Sequence, residues 1–265
     1  MSQKLPVLFI THSSPMLAIE PGKTGPLLMD LGKQLKKRPI NAILVISAHF
    51  ITQGKTMLTA AKNLPTIHDF SGFPSELYQL EYNAKGAPDI AMQIQRELSY
   101  NNIHVELDPK RGLDHGAWIP LQYLFPDADV PVIQLSMAWP MDVTQAINFG
   151  KCLKILRNRG ILIITSGSMT HNLYDVGYDD EKPLHYIKPF IDWVKNTLKN
   201  HDIDAMKNYR ELAPYAKKAH PTEEHFLPLI IALASSDKDE LITELDGGVT
   251  YQALAMDNYI FGQYS

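Results

Sequence analysis

Cysteine is nearly missing: the 265-residue chain holds one, Cys152. That excludes an internal disulfide framework and any Cys-x-x-Cys metal site. Cys152 lies among apolar residues at helical spacing (residues 146–157), the setting expected of a buried structural thiol. Long hydrophobic runs are missing too. The longest, such as residues 160–165, fall far short of the roughly 20 residues a membrane helix needs. The apolar run at residues 5–10 is too short for a signal-peptide core and ends in polar Thr11-His12-Ser13-Ser14. A soluble protein of a reducing compartment, the cytoplasm, is expected, with no membrane partner.

Basic charge is sparse. There are 25 Lys and Arg against 29 Asp and Glu, a formal net charge of −4, and no basic cluster exceeds Lys36-Lys37-Arg38. The chain therefore lacks the electrostatic footprint of a nucleic-acid binder. Neither GxGxxG nor GxxxxGK[ST] occurs, so no nucleotide-phosphate cradle is expected. Ser168 is not in a nucleophile elbow, because Ser166 and Thr170 stand where its two glycines would be.

What is present is core-forming material: 45% of residues are hydrophobic and 20% charged, which argues for a sizeable core and against disorder. Short apolar runs at residues 5–11, 41–48, 130–137 and 160–166 read as strands buried on both faces, although the third carries Gln134 and Ser136. Helical spacing links Leu28, Leu31 and Leu35, then Ile90, Ile94 and Leu98, then Ile187, Phe190, Ile191, Val194 and Leu198, where Pro189 fits only in the first turn. The alternation predicts an α/β fold: a single domain over residues 1–265 with a mostly parallel central sheet flanked by helices on both faces. Residues 65–74 and 110–120 read as ordered surface loops. A strand within residues 251–261, after the Gly247-Gly248 turn signal, is expected to close the sheet at an edge.

Histidine is the abundant chemical residue, with ten in the chain. His12 and His49 follow the first two predicted strands directly, and His171 follows the fourth by a few residues. Ligands of parallel α/β sheets bind beyond the carboxyl ends of the strands, so three strands deliver imidazoles to one edge. His225, in Pro221-Thr222-Glu223-Glu224-His225-Phe226, precedes an apolar helical run for which Thr222 is the expected N-cap. A histidine at a helix N-terminus is held towards the neutral form that binds metals. His115 lies between Gly112 and Gly116, which allow close backbone approach; an ordinary Asp/Gly turn is the other reading. His68 reads as part of a packed loop, while His104, His185, His201 and His220 are expected at the surface. Two chemistries fit: a His-ligated metal with open positions, or metal-free acid–base work. A triad using Ser13, Ser14, Ser47 or Ser166 lacks any supporting motif.

The segments THSSP (11–15), SAHF (47–50), TIHDFSGFP (66–74), LDHGAW (113–118), GSMTHNL (167–173) and PTEEHFLP (221–228) together resemble the class III extradiol ring-cleavage dioxygenases, in particular the 4,5-DOPA dioxygenase subgroup. The resemblance runs in order along almost the whole chain. It implies cleavage of a catechol ring beside its two hydroxyls with molecular oxygen. Fe(II) is the metal expected for activity, with Zn(II) possible as the bound ion. By motif, His12, His49 and His225 correspond to metal ligands, and His115 and His171 to catalytic histidines beside the open face. His171 is a fourth metal ligand in some members and the base in distant relatives. Two departures stand out: Ser13 replaces the glycine of the family's HGSP, and neutral His225 stands where distant relatives present a glutamate. Glu224 is placed to orient an imidazole. A zinc hydrolase on the same histidines, and a non-catalytic binding protein, remain the alternative readings.

Overall fold

The computed structural model describes residues 4–177 and 182–264. Its strands are β1 (Val7–Thr11), β2 (Ala42–Gln53), β3 (Thr56–Thr59), β4 (Asn63–Leu64), β5 (Ala84–Lys85), β6 (Val105–Asp108), β7 (Val132–Trp139), β8 (Ile161–Gly167), β9 (Ile242–Leu245), β10 (Val249–Thr250), β11 (Leu254–Ala255) and β12 (Asn258–Phe261). The helices are α1 (Thr24–Leu35), α2 (Pro88–Tyr100), α3 (His115–Leu124), α4 (Val143–Leu153), α5 (Ile187–Lys199), α6 (Ile203–Lys207), α7 (Tyr209–Leu212), α8 (Ala216–Ala219) and α9 (Leu227–Ser235).

Eight strands form one sheet in the order β6-β3-β7-β2-β8-β1-β12-β9. Its four central strands, β7, β2, β8 and β1, are mutually parallel; antiparallel pairing enters only towards the flanks, at β3–β7, β1–β12 and β12–β9. The four apolar runs read from sequence became these central strands because side chains alternate between two covered faces. Val7, Phe9, Leu44, Ile46, Ile133 and Ile163 face a core built with α2, α4, α5 and α9. Leu8, Ile10, Ile43, Val45, Val132 and Ile164 face a second core under α1 and α3.

Several expectations shift. Residues 110–120 are not a surface loop, because α3 begins at His115 and buries Trp118, Ile119 and Leu121 completely. Gly116 and Pro120 disguised the helix, yet both are accommodated where it packs against α1 and the central strands β2 and β8. The closing strand β12 is not the sheet edge; it lies between β1 and β9, and β9 takes the outside place. Thr222 caps no helix. The α9 helix starts five residues later, with a proline in its first turn, where a missing N–H costs nothing. Cys152 is half-buried against the core, and burial raises its thiol pKa. His104 and His185 are exposed as expected, but His201 and His220 are buried.

Candidate metal centre

Two strand ends and a register slip within a third strand build the site. After β1, the His12 backbone N–H donates to Gly167 O on neighbouring β8 at 3.0 Å. The β2 strand does not end at Ala48: between Ile46 and Ile51 its register with β7 slips, and the slip turns His49 off the ladder. The Ser47 hydroxyl accepts the His49 backbone N–H at 3.1 Å and fixes that turn. From β8, Ser168 donates its backbone N–H to His225 O at 2.9 Å, which holds the approach to α9 against the sheet edge. His171 is tethered by its own N–H, donated to Ala219 O at 2.8 Å.

The rings converge. His12 Nε2 stands 3.0 Å from His49 Nε2, and His49 Nε2 stands 3.2 Å from His225 Nε2. Two nitrogens each about 2.1 Å from a shared ion, at octahedral or tetrahedral angles, are separated by about 3.0–3.4 Å. His115 packs beside them, its ring centroid 4.0 Å from that of His49 and 5.4 Å from that of His12. His171 lies face to face with His225, centroids 3.5 Å apart and planes 9° from parallel. Donor atoms of His12, His49 and His115 fall within 4.8 Å of one another, as do those of His171, Glu224 and His225.

The opposite ring nitrogens decide the tautomers. Ser166 Oγ donates to Gly116 O at 2.5 Å, so its lone pair receives His12 Nδ1–H at 2.8 Å. Gly116 O is free to accept because Pro120, four residues on, has no N–H to give it. His225 Nδ1–H donates to Glu224 Oε1 at 3.1 Å, the role foreseen for Glu224. Both rings, when neutral, therefore turn a bare Nε2 lone pair inward. A proton on His49 Nε2 satisfies one such neighbour; a cation satisfies all three. Burial pushes the pKa of His12 well down, takes His49 to about 2, and lowers His225. These are neutral imidazoles in a pocket that penalises their protonation, and the donor set fits a divalent transition metal.

His171 is driven to about 2, chiefly by burial, so its ring is neutral. Glu224 is held at about 2: burial works to raise it, but its bond to His225 prevails. Asp69 likewise sits at about 2, since interaction with His115 outweighs burial.

Three residues of the surrounding network were not read from sequence. Asp69 lies 3.0 Å from His115 Nδ1 and 3.5 Å from His49 Nδ1; only its place in the motif at residues 66–74 hinted at it. Asp114, wholly buried at the start of α3, accepts from Ser47 Oγ at 2.7 Å, Gln134 Nε2 at 2.5 Å and Arg111 Nη2 at 3.2 Å. Gln134 was visible as a polar interruption of an apolar strand, with nothing to name its partner. His68 is the packed-loop residue expected: Nε2 lies 3.0 Å from Leu80 O and the ring sits edge-on to Phe70 and Trp118. Ser47 and Ser166 serve these networks and not a serine triad. His220, expected at the surface, is buried near Phe226 with Nε2 2.9 Å from Met169 O, because the segment before α9 folds inward to deliver His225.

A largely parallel α/β sheet carrying a buried histidine cluster defines a candidate metal-dependent enzyme, and sequence comparison shows the family. Residues 6–262 match the family described as the catalytic LigB subunit of aromatic ring-opening dioxygenase, and the chain belongs to that family of class III extradiol enzymes. It is 39% identical to the 4,5-DOPA dioxygenase extradiol of Beta vulgaris, over 91% of this chain and 92% of the relative. It is 36% identical to the protein of the same name from Escherichia coli strain K12, over 96% and 94%. The crystal structure of an uncharacterized Escherichia coli K12 protein superposes with a TM-score of 0.82 at 31% identity, covering 98% of this chain and all of that one. The chain is an extradiol ring-opening dioxygenase that takes a small aromatic molecule and molecular oxygen. Among the described residues no helix is long and apolar enough to cross a membrane.

Proposed function

We propose that the protein is a single catalytic domain that opens the ring of a DOPA-like catechol, with Fe(II) held by His12, His49 and His225. The observation that carries the metal assignment is the approach of three Nε2 atoms, two with their Nδ1 protons committed elsewhere. Bound there, Fe(II) supplies the redox and Lewis-acid chemistry that reaction with oxygen requires; Zn(II) occupies the same donors but is redox-silent. Family membership favours this reading over a zinc hydrolase or a non-catalytic binder, and a lone, half-buried thiol accords with a reducing cytoplasm.

The protein's own work is positioning and proton transfer. We assign His171 as the base that accepts a proton from a substrate hydroxyl, because its ring lies over the ligand His225 beside the cluster. Its stacking on His225 supports a base over a fourth ligand. In-plane lone pairs of two parallel rings 3.5 Å apart do not meet at one ion. His115, with Nδ1 beside Asp69, turns Nε2 to the substrate as an acceptor, and returns to the opening ring a proton it has first taken from a substrate hydroxyl.

The test is anaerobic loading with Fe(II), followed by air and a panel of DOPA, caffeate and protocatechuate. Oxygen uptake with a yellow ring-fission product is expected with at least one. Full iron occupancy without oxygen uptake on any catechol overturns the reading.

A further inference from the structure

Asp69 stands where two functional histidines meet. Its Oδ1 accepts the backbone N–H of His115 at 2.8 Å and lies 3.0 Å from His115 Nδ1. The other oxygen, Oδ2, lies 3.5 Å from His49 Nδ1. His115 Nδ1 is buried and makes no hydrogen bond of its own, so the Asp69 carboxylate is the acceptor that stands beside it. The same carboxylate faces the ligand histidine His49, whose ring centroid lies 4.0 Å from that of His115.

The same contact starts a helix. His115 is the first residue of α3, and the side chain of Asp114 at the N-cap position makes no cap bond. Asp69 reaches in from a loop 46 residues earlier to satisfy that N–H, and its charge suits a helix N-terminus. The loop is pinned on both sides. Leu113 N–H donates to Pro65 O at 2.9 Å, Ile67 N–H to Leu113 O at 2.8 Å, and Trp118 Nε1–H to Ile67 O at 3.1 Å. Phe70 then packs edge-on against His115, centroids 5.6 Å apart. A carboxylate held this firmly sets the orientation of whatever ring it meets.

We propose that Asp69 is a positioning residue that yokes the metal ligand His49 to the substrate-facing His115, drawing the proton of His115 to Nδ1 so that a bare Nε2 faces the substrate as an acceptor. Its catalytic consequence rests on the dioxygenase reading; its structural and metal-binding consequences do not. A carboxylate behind a ligand imidazole also raises the ring's strength as a donor, and removing such partners typically costs tenfold to a hundredfold in metal affinity.

The experiment uses the full chain loaded with diamagnetic Zn(II), as wild type, Asp69→Ala and Asp69→Asn. Long-range proton–nitrogen NMR of the imidazoles reports which nitrogen carries hydrogen. The wild type is expected to show His115 protonated at Nδ1, and Asp69→Ala to shift it towards Nε2. Competition titration with a zinc chelator is expected to show affinity about tenfold to a hundredfold weaker in Asp69→Ala. Asp69→Asn retains an oxygen for the His115 N–H, so it is expected to melt with the wild type yet still bind zinc more weakly. It guards against a variant that loses only the helix cap. With Fe(II) and a catechol, Asp69→Ala is expected to lower kcat at least tenfold with KM within about twofold. Introduced into His115→Gln, it is expected to cost no further kcat. An unchanged His115 tautomer together with unchanged zinc affinity in Asp69→Ala overturns the proposal, as does an equal kcat loss in both backgrounds. A wild type that consumes no oxygen counts against the dioxygenase reading alone, leaving the NMR and zinc measurements to decide the role of Asp69.

Discussion

The imidazoles of His171 and His225 are stacked, 3.5 Å between centroids and 9° from parallel. On the proposed reading the two stacked rings have different duties: His225 turns its edge to the cluster of Nε2 atoms, and His171 lies over it and exchanges protons. Phenylalanine preserves a flat ring in that stack while deleting both nitrogens. His171→Phe is therefore expected to retain metal content by elemental analysis and to lose about 10²–10⁴-fold in kcat. Loss of metal in this variant would assign His171 as a ligand.

The hydroxyl of Ser166 joins the backbone of α3 to His12. Ser166→Ala leaves Gly116 O and His12 Nδ1 without this partner in a buried site. Metal affinity is expected to fall about tenfold to a hundredfold, with secondary structure by circular dichroism unchanged. Gly116→Ala is expected to be worse, because a methyl group there would lie 2.4 Å from Ser47 Oγ and 3.2 Å from His12 Nδ1. Equal metal binding in wild type and both variants would refute the relay.

Ser13 holds a backbone φ of +53°, a left-handed conformation that costs a residue with a side chain about 1–2 kcal/mol. Glycine, the family's residue there, adopts it freely but gives back about 0.5–1 kcal/mol through entropy. Ser13→Gly is expected to raise stability by up to about 1 kcal/mol, seen as a melting temperature a few degrees higher. A lower melting temperature contradicts the strain argument.

Asp257 is buried beside Lys195 and near Glu244, and burial raises its carboxyl to about 7 despite Lys195. A raised folded-state pKa means that the unfolded chain ionises first. The penalty on folding is absent below about pH 4, grows as pH rises, and levels off above about 7. Asp257→Asn removes it. Relative to wild type, the variant is expected to melt higher at pH 8 than at pH 4.5. Parallel melting curves across that range would contradict the assignment.

Much of the fold was legible because burial on two faces writes itself as unbroken apolar runs: all four became the parallel centre of the sheet. Elements whose character depends on neighbours were not. The α3 helix carries Gly116 and Pro120 and reads as a loop, yet Trp118 and Leu121 bury completely beneath the centre of the sheet. His220 resembles any surface histidine until the chain ahead of α9 folds inward.

The amino-acid order by itself determined that His12 and His171 would follow the carboxyl ends of β1 and β8, since strand direction fixes where those side chains emerge. That β2 runs on past His49 and slips in register there was decided by pairing with β7. Its motifs placed the chain among the extradiol dioxygenases. Which nitrogen of each ring faces inward was decided only in three dimensions. For His12 that choice depends on Ser166, a partner far along the chain, and a hydrogen bond is set by distance in space, which sequence separation does not encode.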